Sequence, residues 1–254
     1  MLQPELKSAL GHYLSLPEAF SPIEEAQLKG QLAHELRRPV DDGEFSAALQ
    51  HFKARGELNI TGKTLKRAEP DRKEQELERP VRDHFETPEG LRSLKVDTSH
   101  PHRFVNIARG GKRSGQNSIP DFALVQLRKP KFSESGQHIY VTAFELKNRK
   151  GTGNSAVIET ANYKRFARQS FLIVPFSEGN PKLMEEMRED ARLHQIGLFF
   201  FDLKFDGRTK AAVPTNFRKE VEAPLNNAPL EAIEKFIADR NLDQVMRELQ
   251  DSPS

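Results

Sequence analysis

Pro120-Asp121 and, beginning 23 residues after that aspartate, Phe144-Glu145-Leu146-Lys147 put an acid beside one apolar run and an acid and a lysine on the next. The runs, Phe122-Ala123-Leu124-Val125 and Ile139-Tyr140-Val141-Thr142-Ala143-Phe144, are rich in β-branched and aromatic residues and read as strands. Side chains alternate faces along a strand, so Glu145 and Lys147 share one side while Phe144 and Leu146 turn toward the core. Carboxylates are hard oxygen ligands suited to Mg2+ or Mn2+, which keep several waters and use one or two carboxylates plus a phosphate oxygen. Such an ion neutralises charge on a scissile phosphate and lowers the pKa of a bound water. Lys147, about 6.6 to 6.8 Å beyond Glu145 along a strand, would orient that water, hold the phosphate or, with a depressed pKa, act as a base. The chemistry is that of a metal-dependent phosphodiesterase.

Those residues need a scaffold, and the periodicity predicts two domains and a tail. Leu6, Leu10 and Leu14, then Leu28, Leu32 and Leu36, recur at helical spacing. Ser21-Pro22 followed by Glu24 and Glu25 predicts a helix start. Asp41 and Asp42 precede a third helix carrying Phe45, Leu49 and Phe52, which Gly56 stops. Glu57 to Ile60 and Thr64 to Arg67 flank Thr61-Gly62-Lys63, a turn suited to a hairpin. Pro70 then breaks a charged run. A helix over residues 72–85 carries the stripe Leu77, Val81 and Phe85, and Pro80 is expected to kink or shorten it. Strands are predicted near 104–108, 122–126, 139–146, 170–175 and 197–203, with helices at 156–168 and 182–194 between the later ones. This alternation indicates an α/β domain. The expected organisation is a small helical module at 1–69, the α/β domain at 70–210 and a helical extension at 211–254, with helices at 230–238 and 242–249.

Composition sets outer bounds. The 254 residues carry a net charge of only +2 although 30% are charged. Basic residues cluster locally, with Arg103, Arg109, Lys112 and Arg113 in a stretch without acids and Lys147, Arg149 and Lys150 in another. The absence of cysteine excludes disulfides and thiolate zinc sites. The strongly apolar stretches 171–176 and 196–201 are strand length, too short to cross a bilayer, and no signal peptide is evident. The expectation is a soluble, cytoplasmic protein with no membrane partner.

Residues 73–203 resemble the PD-(D/E)xK nuclease superfamily, through Pro120-Asp121 and Glu145-Leu146-Lys147. Lys73-Glu74-Gln75-Glu76-Leu77 is similar to the first-helix motif of archaeal Holliday-junction resolvases and related restriction enzymes. The segment from Arg109 through Gly110, Gly111, Lys112, Arg113, Ser114 and Gly115 to Asp121 is similar to the glycine and serine loop that leads into their aspartate. The resemblance implies a restriction-endonuclease-like mixed sheet flanked by helices, a catalytic tetrad of Glu74, Asp121, Glu145 and Lys147, and a metal held by Asp121, Glu145, Glu74 and the Leu146 carbonyl. Glu76 is the alternate to Glu74. The glycines allow close backbone approach to phosphate, with Arg109, Lys112, Arg113 and Ser114 as nucleic-acid donors. Glu159, Tyr163 and Arg165 resemble the polar helix that shields the active site in those enzymes. The amino-terminal module resembles a winged-helix domain from Phe45 through Leu58, which implies DNA contact by Gln50, His51, Lys53 and Arg55.

The expected function is therefore a Mg2+- or Mn2+-dependent deoxyribonuclease, in restriction or anti-phage defence, acting on DNA as a homodimer or within a larger nuclease complex. A non-catalytic DNA-binding or regulatory protein, or a partner-dependent subunit, is the competing expectation. Residue by residue, Glu145 and Lys147 also fit a surface ion pair, and Asp121 a turn cap after Pro120.

Overall fold

The computed structural model describes residues 3–15, 22–54, 58–61, 63–67, 73–107, 119–128, 138–205 and 212–252. The chain divides into two compact units, the first made of residues 1–71 with 177–181 and 205–212, the second of residues 72–176, 182–204 and 213–254.

In the first unit, helices α1 (Pro4–Ser15), α2 (Glu25–Leu36) and α3 (Asp42–Ala54) bury Leu6, Leu10, Leu28, Leu32, Phe45, Leu49 and Phe52 in one core. Asp41 caps α3, its Oδ1 accepting the backbone N–H groups of Gly43 and Glu44 at 2.8 and 3.2 Å. Strands β2 (Leu58–Thr61) and β3 (Thr64–Arg67) pair antiparallel, with Thr61 opposite Thr64, and Gly62 of the expected turn lies outside the described residues. Contrary to expectation, no helix opens at Pro22, and Ser21 lies outside the described residues. Ile23 and Glu24 form a short strand, β1 (Ile23–Glu24), paired with Leu65 and Thr64, so the second helix begins only at Glu25. Ile23 is buried against the hairpin, and that burial decides against the local capping signal.

The second unit is mixed α/β. Its six-stranded sheet has the order β4 (His102–Asn106), β5 (Phe122–Arg128), β6 (His138–Leu146), β7 (Gln169–Pro175), β8 (Gly197–Phe205) and β9 (Ala212–Val221). Pairing is antiparallel from β4 to β6 and parallel from β6 to β8. The parallel steps need crossovers, supplied by α6 (Asn154–Asn162), which runs into a 3-10 turn at Tyr163–Arg165, and by α7 (Pro181–Leu193). Preceding the sheet are α4 (Glu74–Phe85) and α5 (Pro88–Ser93), and following it are α8 (Leu230–Asp239) and α9 (Asp243–Gln250). β9 stands where the sequence suggested only helical extension. Its residues Ala212 to Val221 lack clean alternation, four consecutive positions being half-buried, and so carry a weak strand signature.

One face of the sheet is a row of phenylalanines. Register puts Phe122 opposite Phe144 and Phe144 opposite Phe171, with centroids 4.8 and 5.7 Å apart, and Phe171 meets Phe199 at 5.4 Å. α4 lays Phe85 on this row, 5.0 Å from Phe199 and 5.7 Å from Phe144. Each aromatic pair adds about 0.5–1.5 kcal/mol beyond the area it buries. The α4 helix runs unbroken through Pro80 to Phe85 because Leu77, Val81 and Phe85 are wholly buried, which offsets the roughly 3 kcal/mol an interior proline costs. The other face packs Val125, Val141 and Ala143 with Tyr163, Phe166, Ile233 and Phe236, and Leu172, Val174, Leu198 and Phe200 with Met184 and Met187 of α7.

Gly197 lies opposite Phe171, and a Cβ there would stand 2.1 Å from the Phe171 ring. Gly197→Ala is expected to destabilise the protein by about 1–3 kcal/mol through this clash. Gly30→Ala in α2, where a Cβ meets nothing within 4 Å, is expected to be neutral or stabilising by up to about 1 kcal/mol. Thermal unfolding of the two variants beside wild type checks both signs.

Candidate active site

Every group of the candidate site belongs to the second unit. The β5–β6 ladder ends at Phe122 opposite Phe144, and backbone bonds carry it one residue further. The Asp121 N–H donates to Phe144 O, and the Ile107 N–H donates to Asp121 O, each at 3.0 Å. Asp121 therefore faces Glu145 across the strand pair, two like charges in directly opposed positions. The Leu146 N–H donates to Asp121 Oδ2 at 2.7 Å. This cross-strand bond, rather than a local turn after Pro120, is what holds the aspartate.

Glu145 is only 2% exposed. Lys147 Nζ donates to its Oε1, and the fully buried Tyr163 donates its hydroxyl to Oε2. A surface ion pair is thereby ruled out for Glu145. Lys147 also reaches Glu159 Oε2 at 3.1 Å, and its backbone N–H donates to Ile173 O at 3.0 Å, keeping the residue in line beyond the end of β6. Glu159 and Tyr163 are four residues apart, one turn of helix, and so grip the two ends of the Glu145–Lys147 pair.

Burial pushes the Asp121 carboxyl up to about 7, with the Leu146 N–H bond pulling it down and the charge of Glu74 pushing it further up. Burial likewise pushes Glu145 up to about 8, with the Asp121 charge adding to it and Lys147 and Tyr163 opposing it. For Lys147, burial works against the ammonium, but Glu145 and Glu159 outweigh it and hold the pKa above its ordinary value. Of the roles expected for Lys147, this favours orienting the water or holding the phosphate over acting as a base, which required a depressed pKa. Lys147 is a charged donor because two carboxylates surround it. Burial and the Glu145 charge also push the Tyr163 phenol up, so it stays a hydroxyl donor.

On α4, Glu74 is half-buried and Glu76 exposed. The acid that sequence reasoning missed is Glu78, buried and one turn beyond Glu74 on the same face. Charges on Glu74 and Glu78 both raise the Asp121 pKa. Glu78 Oε2 accepts from Asn106 Nδ2 at 3.3 Å, and Asn106 sits on β4 opposite Phe122. The Asn106 Oδ1 is buried without a hydrogen-bond partner. The i, i+4 repeat of glutamate within an otherwise apolar stripe was the signal available for Glu78.

Arg109, Lys112, Arg113 and Ser114, with the glycines of that loop, lie outside the described residues, as does Arg55. Lys53 is exposed on α3. Of the expected basic surface, Arg103 is tied to Glu248 at 2.8 Å, and Arg149 donates to the Phe176 carbonyl at 2.7 Å. Arg165 is exposed, with its guanidinium 5.6 Å from the Phe166 ring centroid.

Among the described residues, no three histidine, cysteine or acidic side chains are gathered as a ready-made metal cage. The chemistry of the donors nevertheless fits a hard divalent ion. Asp121, half-buried, and Glu145, buried, are opposed carboxylates whose ionised forms are disfavoured, and Mg2+ needs only one or two carboxylates from the protein. The Asn106 amide oxygen is a further uncommitted oxygen near Glu78. Comparison with protein-family models, curated proteins and solved structures finds no match to this chain.

The raised carboxyl pKa of Asp121 has a definite sign for stability. Its folded value of about 7 lies above the ordinary value of 3.8, so its contribution is fully present below the ordinary value and is lost progressively as pH rises to the folded value. Asp121→Asn, which keeps an oxygen for the Leu146 N–H, should therefore gain stability relative to wild type between pH 4 and pH 8 in the presence of chelator. Melting curves across that range test it, and a difference independent of pH would contradict it.

Proposed function

We propose that the protein is a divalent-metal-dependent deoxyribonuclease of the PD-(D/E)xK kind, cleaving phosphodiester bonds with Asp121, Glu145 and Lys147. The observation that carries this reading is the pairing of a half-buried and a buried carboxylate, Asp121 and Glu145, at the end of the β5–β6 pair, with a charged lysine two residues beyond the second. The mixed sheet between helical layers is compatible with a restriction-endonuclease-like fold. Asp121 and Glu145 would hold Mg2+ or Mn2+, joined by the Leu146 carbonyl and by Glu74 or Glu78 from α4. When bound, the ion neutralises charge on the scissile phosphate and acidifies a coordinated water. Lys147 supplies a fixed positive charge and donor for the phosphate or the attacking water, while Tyr163 orients Glu145.

One observation favours a partner-dependent or regulatory reading. Both Glu145 oxygens are occupied by Lys147 and Tyr163, so ligation by Glu145 requires one of these bonds to yield or be shared. Binding of a partner, a second copy or DNA itself would supply that change. Residues 1–71 carry nine lysines and arginines against eleven aspartates and glutamates. This balance favours a protein partner over the DNA backbone for the winged-helix-like module. Restriction or anti-phage defence in the cytoplasm is the setting that the nuclease resemblance suggests. Among the described residues no helix is long and apolar enough to cross a membrane.

The test is cleavage of supercoiled plasmid and labelled linear DNA with Mg2+ or Mn2+. Lys147→Ala and Asp121→Ala should each lower the rate by about two to three orders of magnitude, the scale of losing a preorganised electrostatic group, and chelator should abolish it. Wild-type cleavage that persists in both variants would refute the assignment.

A further inference from the structure

Glu159 has no place in the metal-holding set, yet it touches the lysine on which the reading above depends. We propose that Glu159 is a positioning residue that holds the Lys147 ammonium at the candidate site, acting as the second jaw of a clamp whose first jaw is Glu145. This inference rests on the nuclease reading for its catalytic consequence, but the clamp itself is a property of the chain that is measurable without cleavage.

Three features converge on Lys147. Its Nζ lies between Glu145 Oε1 and Glu159 Oε2, the latter at 3.1 Å, and its side chain retains 16% exposure. The turn that follows, closed by the Gly151 N–H on the Asn148 side chain at 3.0 Å and by the Thr152 hydroxyl on the Asn148 carbonyl at 2.9 Å, folds the chain back toward α6. Gly151 sits against the lysine stem, where a Cβ would stand 3.2 Å from Lys147 Cδ. A lysine side chain is long and flexible, and fixing it in one place costs rotamer freedom that a single partner offsets poorly. With Glu145 alone, the head group would follow whatever its one partner does.

The geometry also separates the jaws. Glu145 is buried and shares its second oxygen with Tyr163, whereas Glu159 is one-third exposed and projects from α6. Should Glu145 turn one oxygen to an incoming ligand, Glu159 keeps the ammonium in place. Tyr163, one turn further along α6, retains the other Glu145 oxygen. α6 thus braces both members of the Glu145-x-Lys147 pair from a single rigid element, and Glu159 is the part of the brace that bears on the lysine.

The experiment compares wild type with Glu159→Ala and Glu159→Gln, where glutamine keeps an oxygen acceptor of similar reach. The full-length protein in chelator is exposed to an amine-acetylating reagent, and modification of Lys147 is followed by mass spectrometry against the exposed Lys182 as an internal standard. Acetylation of Lys147 should accelerate at least threefold in Glu159→Ala and stay within twofold of wild type in Glu159→Gln. Steady-state cleavage should show kcat lowered at least tenfold in Glu159→Ala with KM within threefold, and largely recovered in Glu159→Gln. Melting temperatures confirm that the variants are folded. Unchanged Lys147 acetylation in Glu159→Ala would overturn the clamp whether or not the protein cleaves DNA. Faster acetylation with no cleavage by wild type would keep the clamp and remove the nuclease reading. Faster acetylation with wild-type kcat would overturn the positioning role.

Discussion

The second unit is organised around two carboxylates that water would ionise and the protein interior resists. Asp121 and Glu145 face each other because the antiparallel register of β5 and β6 leaves them no alternative, and Glu145 is buried while Asp121 is half-buried. Isolated, such a pair would be costly. The protein compensates locally, with the Leu146 N–H on Asp121 and with Lys147 and Tyr163 on Glu145. Burial still dominates, so the resting site favours partial protonation or a bound cation. That bias is the physical link between the fold and the proposed metal-assisted hydrolysis.

The remainder of the unit holds this arrangement rigid. The phenylalanine row from Phe122 through Phe144 and Phe171 to Phe199 fixes the strands on the face opposite Glu145, and Phe85 of α4 locks onto it. Because α4 is anchored at its carboxyl end, the charges of Glu74 and Glu78 on its first turns are felt by Asp121. On the other face α6 carries Glu159 and Tyr163 to the lysine and glutamate. Two helices from opposite sides therefore bear on one strand end, the kind of support that keeps reacting groups aligned to a fraction of an ångström.

How much of this was legible in the sequence varies by the range of the interaction that decides it. The stripe Leu77, Val81 and Phe85, the paired strands β2 and β3 and the strands around Asp121 and Glu145 follow from local pattern, and the structure has them. Ile23 and Glu24 were misread because a strand partner 40 residues away outweighed a capping signal. β9 was missed because an edge strand with half-buried residues lacks clean alternation. The juxtaposition of Asp121 with Glu145 depends on register, which 23 intervening residues do not specify. Glu78 was passed over in favour of Glu76 because facing is set by packing of α4 and not by motif. That Lys147 stays a charged donor turns first on Glu145, two residues away on the same strand, and then on Glu159, twelve residues away and on another element.

Titration of the full-length protein with Mn2+, read by calorimetry in parallel for wild type and Asp121→Asn, bears most directly on the central claim that these opposed carboxylates form a cation site. Saturable binding to wild type that is lost or weakened at least tenfold in the folded variant is the predicted result. Equal binding to both proteins, or no binding to wild type in the presence or absence of DNA, would contradict it.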